Sequence, residues 1–280
     1  MDALFLGIPC LLEVVGVRAT LDSRKIEPGA FLSLSCPYAR FFAVDALGQV
    51  EIRPYGCDCG QNMLRLCEKA GLISATLFLL LGNGGTIRME ILIFHHVMGR
   101  TKGMERFAGA LRQAGHTVHL PDLFEGQTFA TIDNGLAYVK KLGFDQVAKR
   151  GVESAQGLPR EIVYVGFSLG VSVAQELAQT RDGARGAVFI DGCMRTAEFD
   201  SPWPMDLPAQ IHAMDADPYF VAEGDLQAAR ELVDTAGRVK LFLYPGAQHL
   251  FVDSSLPSYH AESASLVLRR ILNFLRHLED

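Results

Sequence analysis

The segment Glu161-Ile-Val-Tyr-Val-Gly-Phe-Ser-Leu-Gly-Val-Ser-Val-Ala-Gln-Glu-Leu-Ala178 organises the chain around one turn. Its β-branched run, Ile162-Val-Tyr-Val165, is typical of a buried strand. From Leu169 onward the apolar residues recur at spacings of three and four, which predicts a helix. The turn between them is Gly166-Phe-Ser-Leu-Gly170, and a strand, a Gly-x-Ser-x-Gly turn and a helix in succession are the signature of a nucleophile elbow. The alternative is a glycine-rich turn in which the serine only caps the helix.

Apolar strands alternate with amphipathic helices from residue 89 onward. Short apolar runs predict strands at 90–95, 117–121, 162–165, 186–190, 209–213 and 239–244. Helical spacing predicts helices at 102–115, at 132–147 with a break at Gly143, from 169 to about 182, at 226–236 and at 259–278. Because consecutive parallel strands need helical crossovers, this alternation predicts an α/β fold with a mostly parallel, doubly wound sheet and helices on both faces.

The composition excludes several classes of protein. About half of the residues (49%) are apolar and the net charge is −6, so we expect no nucleic-acid partner. No apolar run reaches the ~20 residues of a membrane helix. The first thirteen residues lack a basic segment and contain Pro9 and Glu13, unlike a signal peptide. We therefore expect a soluble, cytoplasmic protein without a membrane partner.

Residues 1–88 show no clear helical or strand period, and turn-forming residues interrupt them often. We hypothesise that they are an N-terminal extension of unassigned fold, or the product of a start codon assigned upstream of Met89, and that residues 89–280 form the α/β domain. The region holds five of the six cysteines, at positions 10, 36, 57, 59 and 67. Their spacing matches no familiar zinc motif and no histidine precedes His95, so we expect structural or free thiols.

A nucleophilic serine needs a base in contact with it, and the base needs an acid that orients it. Four histidines follow Ser168 in the sequence. His212 lies inside a predicted strand, and His260 and His277 lie at the two ends of the last predicted helix. His249 lies in a loop directly after a predicted strand, so it is the candidate base.

The acid is expected in the loop after the strand at 209–213, because hydrolases built on a nucleophile elbow carry their triad in the order serine, acid, histidine. Asp215 and Asp217 both lie in that loop. Asp217 precedes Pro218, which favours an extended backbone, so it is the preferred acid and Asp215 is the alternative. Asp191, after the preceding strand, is an outside candidate and is more typical of a turn residue.

Two backbone N–H groups are candidates for an oxyanion hole, those of Leu169 and Val97. The first follows the serine, and the second lies in the loop after the first strand of the domain. The neighbouring pair His95-His96 suggests a metal site, but adjacent residues in an extended segment point in opposite directions. We therefore expect no metal ion and no cofactor.

Several stretches together resemble one family. They are Ile91-Leu-Ile-Phe-His-His96 with Gly99, Ala114-Gly-His-Thr-Val-His-Leu-Pro-Asp-Leu-Phe124, the turn at 166–170, Asp215-Ala-Asp-Pro218 and Tyr244-Pro-Gly-Ala-Gln-His249. With these marks, residues 89–280 resemble the dienelactone hydrolase family of the α/β-hydrolase superfamily. The resemblance implies an α/β-hydrolase fold and hydrolysis of an ester-like bond through an acyl-enzyme, with nucleophile, acid and base on Ser168, Asp217 and His249.

The sequence departs from that family at two positions. Founding members use a cysteine nucleophile and place a glutamate in the loop after the first strand, whereas this chain has Ser168 and His96. A serine needs no glutamate to control a thiol, so the two changes are consistent with a Ser-His-Asp triad. We place no counterpart here for the arginines that hold the substrate carboxylate in dienelactone-cleaving members.

The resulting hypothesis is a cofactor-free serine hydrolase that acts on a small ester, lactone or thioester. Two alternatives stay open, namely a non-catalytic binding protein with the same fold and a carbon–carbon or peptide-bond hydrolase that uses the same triad. Loop position selects the candidate pocket residues, which are His96, Met98, Phe124, Trp203, Tyr219 and Phe220.

Overall fold

The computed structural model describes residues 88–278 and five short strands upstream of them. The upstream strands are Cys10–Val14 (β1), Val17–Leu21 (β2), Phe31–Leu32 (β3), Phe41–Val44 (β4) and Val50–Arg53 (β5). β1 pairs antiparallel with β2, and β3, β4 and β5 form a second antiparallel sheet. The chain divides into two compact units, 1–85 and 86–280. The interpretation of residues 1–88 as an extension stays a prediction, and the thiols of their cysteines lie outside the described residues.

The second unit alternates strands with helices. Its elements are Glu90–Phe94 (β6), Lys102–Gln113 (α1), Thr117–His119 (β7), Ile132–Leu142 (α2), Phe144–Ser154 (α3), Ile162–Phe167 (β8), Leu169–Thr180 (α4), Gly186–Ile190 (β9), Ala209–Met214 (β10), Pro218–Ala222 (α5), Asp225–Thr235 (α6), Val239–Tyr244 (β11) and Ala261–Arg276 (α7), with a short 3-10 turn at Thr196–Glu198. None of the helices in the described part of the chain has the length and apolar character to cross a bilayer.

The predicted helix at 132–147 is two helices. Gly143 separates α2 from α3 and has a φ of +94°, a backbone conformation that glycine adopts without steric cost. The second helix extends to Ser154, seven residues beyond the predicted end. The sequence also gave no sign of the short helix α5, which begins at Pro218.

The six strands of this unit form one sheet in the order β11-β10-β9-β8-β6-β7. Every neighbouring pair is parallel. The central strand β8 pairs with β6 from Glu90–Ile162 to Phe94–Gly166. Because all strands run in one direction, the loops that follow them meet at one edge of the sheet. The α/β-hydrolase fold with a mostly parallel, doubly wound sheet is confirmed.

Alternate residues of the buried strands enter two separate cores. On β6, Leu92 and Phe94 face one core, whereas Ile91 and Ile93 face the other. The first core is covered by helices α2, α3, α4 and α6, and the second by α1 and α7. Burial of both faces explains why the strand sequences are continuous apolar runs rather than alternating ones.

Candidate active site

Ser168 lies at the sharp turn between β8 and α4. Its φ is +47° and its ψ is −115°, a conformation that costs about 1–3 kcal/mol for a residue with a side chain. Hydrogen bonds on both sides hold it there. The Ser168 N–H donates to the carbonyl of Ile190 at the end of β9 (2.7 Å), and the Val171 N–H donates to the Ser168 carbonyl (2.8 Å). The strained turn therefore presents the serine side chain at the carboxyl edge of the sheet.

The two glycines of the Gly-x-Ser-x-Gly turn are required by close backbone contacts. A Cβ on Gly166 would lie 2.5 Å from the Cα of Val171, and a Cβ on Gly170 would lie 2.3 Å from the carbonyl oxygen of Phe94. Both distances are far shorter than a van der Waals contact between a Cβ and a backbone atom. The second contact also brings the elbow against the end of β6, where the loop with Val97 begins.

Ser168, His249 and Asp217 form a continuous hydrogen-bonded chain. The Ser168 Oγ lies 2.9 Å from Nε2 of His249, and Nδ1 of His249 lies 2.6 Å from Oδ2 of Asp217. Asp217 is fully buried, and its Oδ1 accepts a hydrogen bond from the N–H of Tyr219 (3.0 Å). These contacts fix the tautomer, with the proton on Nδ1 and with Nε2 free to take the serine proton.

The surroundings of His249 favour its protonated form. Burial alone would lower the pKa of His249, but the hydrogen bond to Asp217 and the charges of Asp191, Asp217 and Glu223 outweigh it, so the pKa lies above 6.5. The ring of Tyr219 packs on the imidazole with centroids 4.6 Å apart. A base stabilised as imidazolium suits the transfer of a proton away from serine.

The structure places Asp215 and Asp217 in different roles. Asp215 is exposed, and its Oδ1 accepts a hydrogen bond from the N–H of Gly246 (3.0 Å), which ties the loop after β10 to the loop after β11. Asp217 alone of the two contacts His249. The geometry therefore agrees with the preferred acid rather than with its alternative.

The two candidate oxyanion donors have no hydrogen-bond acceptor among the described residues. Neither the N–H of Val97 nor that of Leu169 donates to another described residue. Helix α2 packs directly against the backbone of Val97. A Cβ on Gly135 of that helix would lie 2.2 Å from the carbonyl oxygen of Val97. Amide groups held by rigid neighbours and left without an acceptor are suited to receive developing negative charge.

His96 is predicted from the sequence to line the pocket, but in the structure its side chain is fully buried and holds the loop that contains Val97 and Met98. Its Nε2 lies 2.8 Å from Oδ2 of Asp253, and its Nδ1 accepts a hydrogen bond from the N–H of Met98 (3.2 Å). Asp253 also accepts hydrogen bonds from the hydroxyl of Thr101 and from the N–H and hydroxyl of Ser255. Burial would raise the pKa of Asp253, but these donors outweigh it and hold the pKa at about 2.

A cavity of about 290 Å³ lies beside His249. It is lined by Met98, Ala130, Thr131, Ile132, Pro218, Tyr219, Ala247, His249, Leu250, Leu256, Pro257 and Ser258. Met98 and Tyr219, two of the residues selected by loop position, are part of this lining. Among the described residues that line the cavity there is no lysine or arginine, and most of the wall is apolar.

Three other predicted pocket residues lie outside this lining. Phe124 is fully buried and packs edge-on against His95 (4.7 Å between centroids). Trp203 packs against Phe189 and donates its indole N–H to the carbonyl of Leu207 (3.1 Å). Phe220 is also fully buried, in the same core. Their apolar side chains fill the interior, which loop position could not reveal.

A second cavity, of about 420 Å³, lies at the opposite edge of the sheet, where the chain enters β9, β10 and β11. Two of its arginines are already engaged by backbone carbonyls, since Arg181 donates to Leu158 (2.7 Å) and Arg185 donates to Leu278 (2.9 Å). The cavity includes no residue of the hydrogen-bonded triad. The larger cavity therefore lies away from the three hydrogen-bonded residues, whereas the smaller cavity includes His249.

One group of described residues has the spacing of potential metal ligands, namely Asp191, Asp217 and His249. The last two already share a hydrogen bond of 2.6 Å, so their facing atoms are occupied by a proton. His95 and His96 do not form a metal pair, because Nε2 of His95 accepts a hydrogen bond from the N–H of Leu123 (3.0 Å) and Nδ1 contacts the carbonyl of His96 (2.8 Å).

The position of Asp191 in the sequence is typical of a turn residue, yet its carboxyl group is buried and lies within 4.8 Å of Asp217 and His249. The signal was available, because the residue directly follows a strand adjacent to β8 and the ends of parallel strands meet at one edge. Asp253 had no such signal, since its partner His96 is 157 residues away in the sequence.

Comparisons with known proteins agree with this architecture. The sequence profile of the dienelactone hydrolase family matches residues 85–279. A search of curated proteins found none that matches this chain. Similar solved structures include a candidate dienelactone hydrolase from Klebsiella pneumoniae subsp. pneumoniae (TM-score 0.52, 20% identity, 70% of this chain and 89% of that chain covered) and a dienelactone hydrolase from Anabaena variabilis (TM-score 0.50, 20% identity, 70% and 88% covered). A promiscuous phosphotriesterase from metagenomic libraries, described as dienelactone hydrolase-like, has a TM-score of 0.52 at 16% identity, with 68% and 87% covered.

Proposed function

Because this chain belongs to the dienelactone hydrolase family and is a hydrolase of ester bonds, we propose that it is a serine hydrolase with the triad Ser168, His249 and Asp217. The observation that carries the proposal is the unbroken chain from Ser168 Oγ to His249 (2.9 Å) and from His249 to Asp217 (2.6 Å). The left-handed backbone of the serine supports it, because strain of this kind is retained where function needs it.

The proposed reaction begins when the Ser168 Oγ attacks the carbonyl carbon of the substrate and its proton moves to Nε2 of His249. Asp217 keeps the imidazole oriented and stabilises its positive charge. The N–H groups of Val97 and Leu169 bind the negative oxygen of the tetrahedral intermediate. His249 then gives the proton to the leaving group, and an acyl-enzyme remains on the serine.

In the second half of the reaction, His249 takes a proton from water, and the resulting hydroxide oxygen attacks the acyl carbonyl. The second tetrahedral intermediate collapses when the proton returns to Oγ of Ser168, and the acid product leaves. The same residues therefore serve both halves. Each step uses only the chain's own groups and one water molecule.

We infer that the substrate is a small, neutral ester, lactone or thioester. A cavity of about 290 Å³ is at the lower limit for drug-sized ligands, and its wall is mostly apolar. A substrate carboxylate would be buried there without a cationic partner among the described lining residues, which carries a large desolvation cost. Esters whose acyl group is short and uncharged fit the site best.

The proposal is tested by labelling the full-length protein with a fluorophosphonate, which reacts with activated serines. We expect labelling of the native protein and none in Ser168→Ala. The matched control is Ser154→Ala, which removes a hydroxyl that donates to the carbonyl of Gly151 within α3 and is expected to leave labelling unchanged. Labelling that survives Ser168→Ala would refute the assignment of the nucleophile.

The substrate class is tested with two p-nitrophenyl esters of similar length, a butyrate and a hemisuccinate, which differ by a carboxylate. We expect kcat/KM for the neutral ester to be higher than that for the hemisuccinate by at least roughly tenfold, because the carboxylate loses its hydration on binding without gaining a cationic partner. Equal or faster cleavage of the hemisuccinate would contradict a neutral acyl site.

A further inference from the structure

Asp191 lies at the junction of the nucleophile and the acid. β9 runs between β8, which leads to Ser168, and β10, which leads to Asp217. The carbonyl of Ile190 accepts the hydrogen bond from the Ser168 N–H (2.7 Å), and the Asp191 N–H donates to the carbonyl of His212 on β10 (2.8 Å). The position of Asp191 is therefore fixed from both sides.

The carboxyl group of Asp191 is turned toward the triad. One of its oxygens, one oxygen of Asp217 and one ring nitrogen of His249 all lie within 4.8 Å of one another. Asp191 is 2% exposed, and neither of its oxygens accepts a hydrogen bond from a described protein group. The Leu250 N–H faces it closely enough to favour the charged form slightly, without hydrogen-bonding geometry.

A purely structural role does not account for this arrangement. Asp191 has a φ of +57°, and aspartate tolerates this conformation when its side chain bonds to the nearby backbone. Here no such bond is formed. Buried carboxyl groups without partners are rare because they are costly, so a role for the charge itself is indicated.

We propose that Asp191 is a second positioning acid of the triad, which acts through His249 by stabilising the imidazolium and which partly substitutes for Asp217 when that carboxylate is lost. This inference rests on the proposed serine hydrolase function. It assigns no proton transfer to Asp191. The serine proton still moves to His249, and Asp191 contributes through its negative charge across less than 4.8 Å of buried space.

The charges around the cluster have the required signs. Burial and, to a smaller extent, the carboxylate of Asp217 raise the pKa of Asp191, while the positive charge of His249 and the Leu250 N–H lower it, and the resulting pKa is about 7. Among the described residues, the other acidic groups that act on or respond to His249 are Glu223 and Asp225. Because the positive charge of His249 and the negative charge of Asp191 attract each other, charging of His249 and ionisation of Asp191 favour each other.

The test compares Asp191→Asn, Asp217→Asn and the double variant with the native protein, using p-nitrophenyl butyrate from pH 5 to pH 9. In Asp191→Asn we expect the acidic limb of kcat/KM to move to lower pH by about one unit or more, since a buried charge at this distance contributes that much to the pKa of a neighbour. In the Asp217→Asn background, loss of Asp191 is expected to remove at least roughly tenfold of the remaining kcat/KM. Asp234→Asn, at an exposed position of α6, is the matched control and is expected to leave the profile unchanged.

Two results would overturn the inference, an unchanged acidic limb in Asp191→Asn and a double variant as active as Asp217→Asn. A merely structural role would lower activity at all pH values without moving the limb. The native protein offers a measurement that needs no variant, because the ring ¹⁵N signals of His249 are expected to titrate in two steps, and a single step would contradict the coupling. If Ser168→Ala removes fluorophosphonate labelling while these signatures fail, the hydrolase proposal stands and this inference alone falls.

Discussion

Replacement of Asp191 by asparagine is expected to change how the stability of the protein depends on pH. The pKa of this carboxyl group is raised from 3.8 to about 7, mainly by burial and to a smaller extent by the carboxylate of Asp217. The folded protein therefore binds a proton at Asp191 more tightly than the unfolded chain does. Asparagine has nearly the same shape and carries no ionisable proton, so the substitution removes this linkage with little change in packing.

The size and sign of the effect follow from the two pKa values. A group with a higher pKa in the folded state stabilises the fold below pH 4, and this contribution is lost as the pH rises through about 7. A difference of one pH unit between the folded and unfolded pKa values corresponds to about 1.4 kcal/mol of stability. The two pKa values of Asp191 differ by roughly three units, and between pH 5 and pH 8 the protein loses the stabilisation that corresponds to about two of them, or about 3 kcal/mol. His249 also has a raised pKa, which gives the native protein a further loss of the same sign.

Urea unfolding at pH 5 and at pH 8 measures this difference. We expect the free energy of unfolding of Asp191→Asn, relative to that of the native protein, to be higher at pH 8 than at pH 5 by about 3 kcal/mol. Asp234→Asn, the same change at an exposed position of α6, is the matched control and is expected to give the same difference at both pH values. An equally flat result for Asp191→Asn would show that the buried carboxyl group does not take up a proton on folding.

Two further substitutions test the elements that hold the site. Asp253→Asn removes a carboxylate whose pKa of about 2 lies below its ordinary value of 3.8. The stabilisation from this lowered pKa is present above pH 4 and is lost as the pH falls, so the free energy of unfolding in urea at pH 7 is expected to be lower by about 2 kcal/mol. An unchanged free energy of unfolding would contradict a stabilising contact between Asp253 and His96. Gly166→Ala places a Cβ 2.5 Å from the backbone of Val171 and is expected to destabilise the protein by about 1–3 kcal/mol and to slow fluorophosphonate labelling of Ser168, whereas an unchanged labelling rate would show that the elbow can shift.

The fold was predictable from sequence because its determinants are local and repeated. Strands buried on both faces need continuous apolar runs, and the helices that cover them need one apolar stripe, so each element carries its own signal. The elbow at Ser168 was predictable for the same reason, since strand, turn and helix lie within one segment. The break at Gly143 was visible as a glycine, but its consequence, a second helix that continues to Ser154, depends on packing against the sheet.

The order of the site residues along the chain was also predictable, whereas the direction of their side chains was not. His249 and Asp217 follow strands whose ends must meet near Ser168, so their proximity follows from topology. Loop position alone does not say whether a side chain enters the cavity or the core. Phe124 and Trp203 therefore appeared as pocket walls in the sequence, although both pack in the interior.

The site contains two histidine–aspartate pairs, and they differ in which ring nitrogen stays available. In the first pair, Nδ1 of His249 faces Asp217 and Nε2 faces the Ser168 hydroxyl, so one nitrogen stays available for proton transfer. In the second pair, Nε2 of His96 faces Asp253 and Nδ1 accepts the Met98 N–H, so both nitrogens are occupied. A histidine in the position where founding family members carry a glutamate therefore adds no second base. It holds the loop that contains Val97, and only His249 of the two histidines keeps a ring nitrogen that faces the Ser168 hydroxyl, as the proposed proton transfer requires.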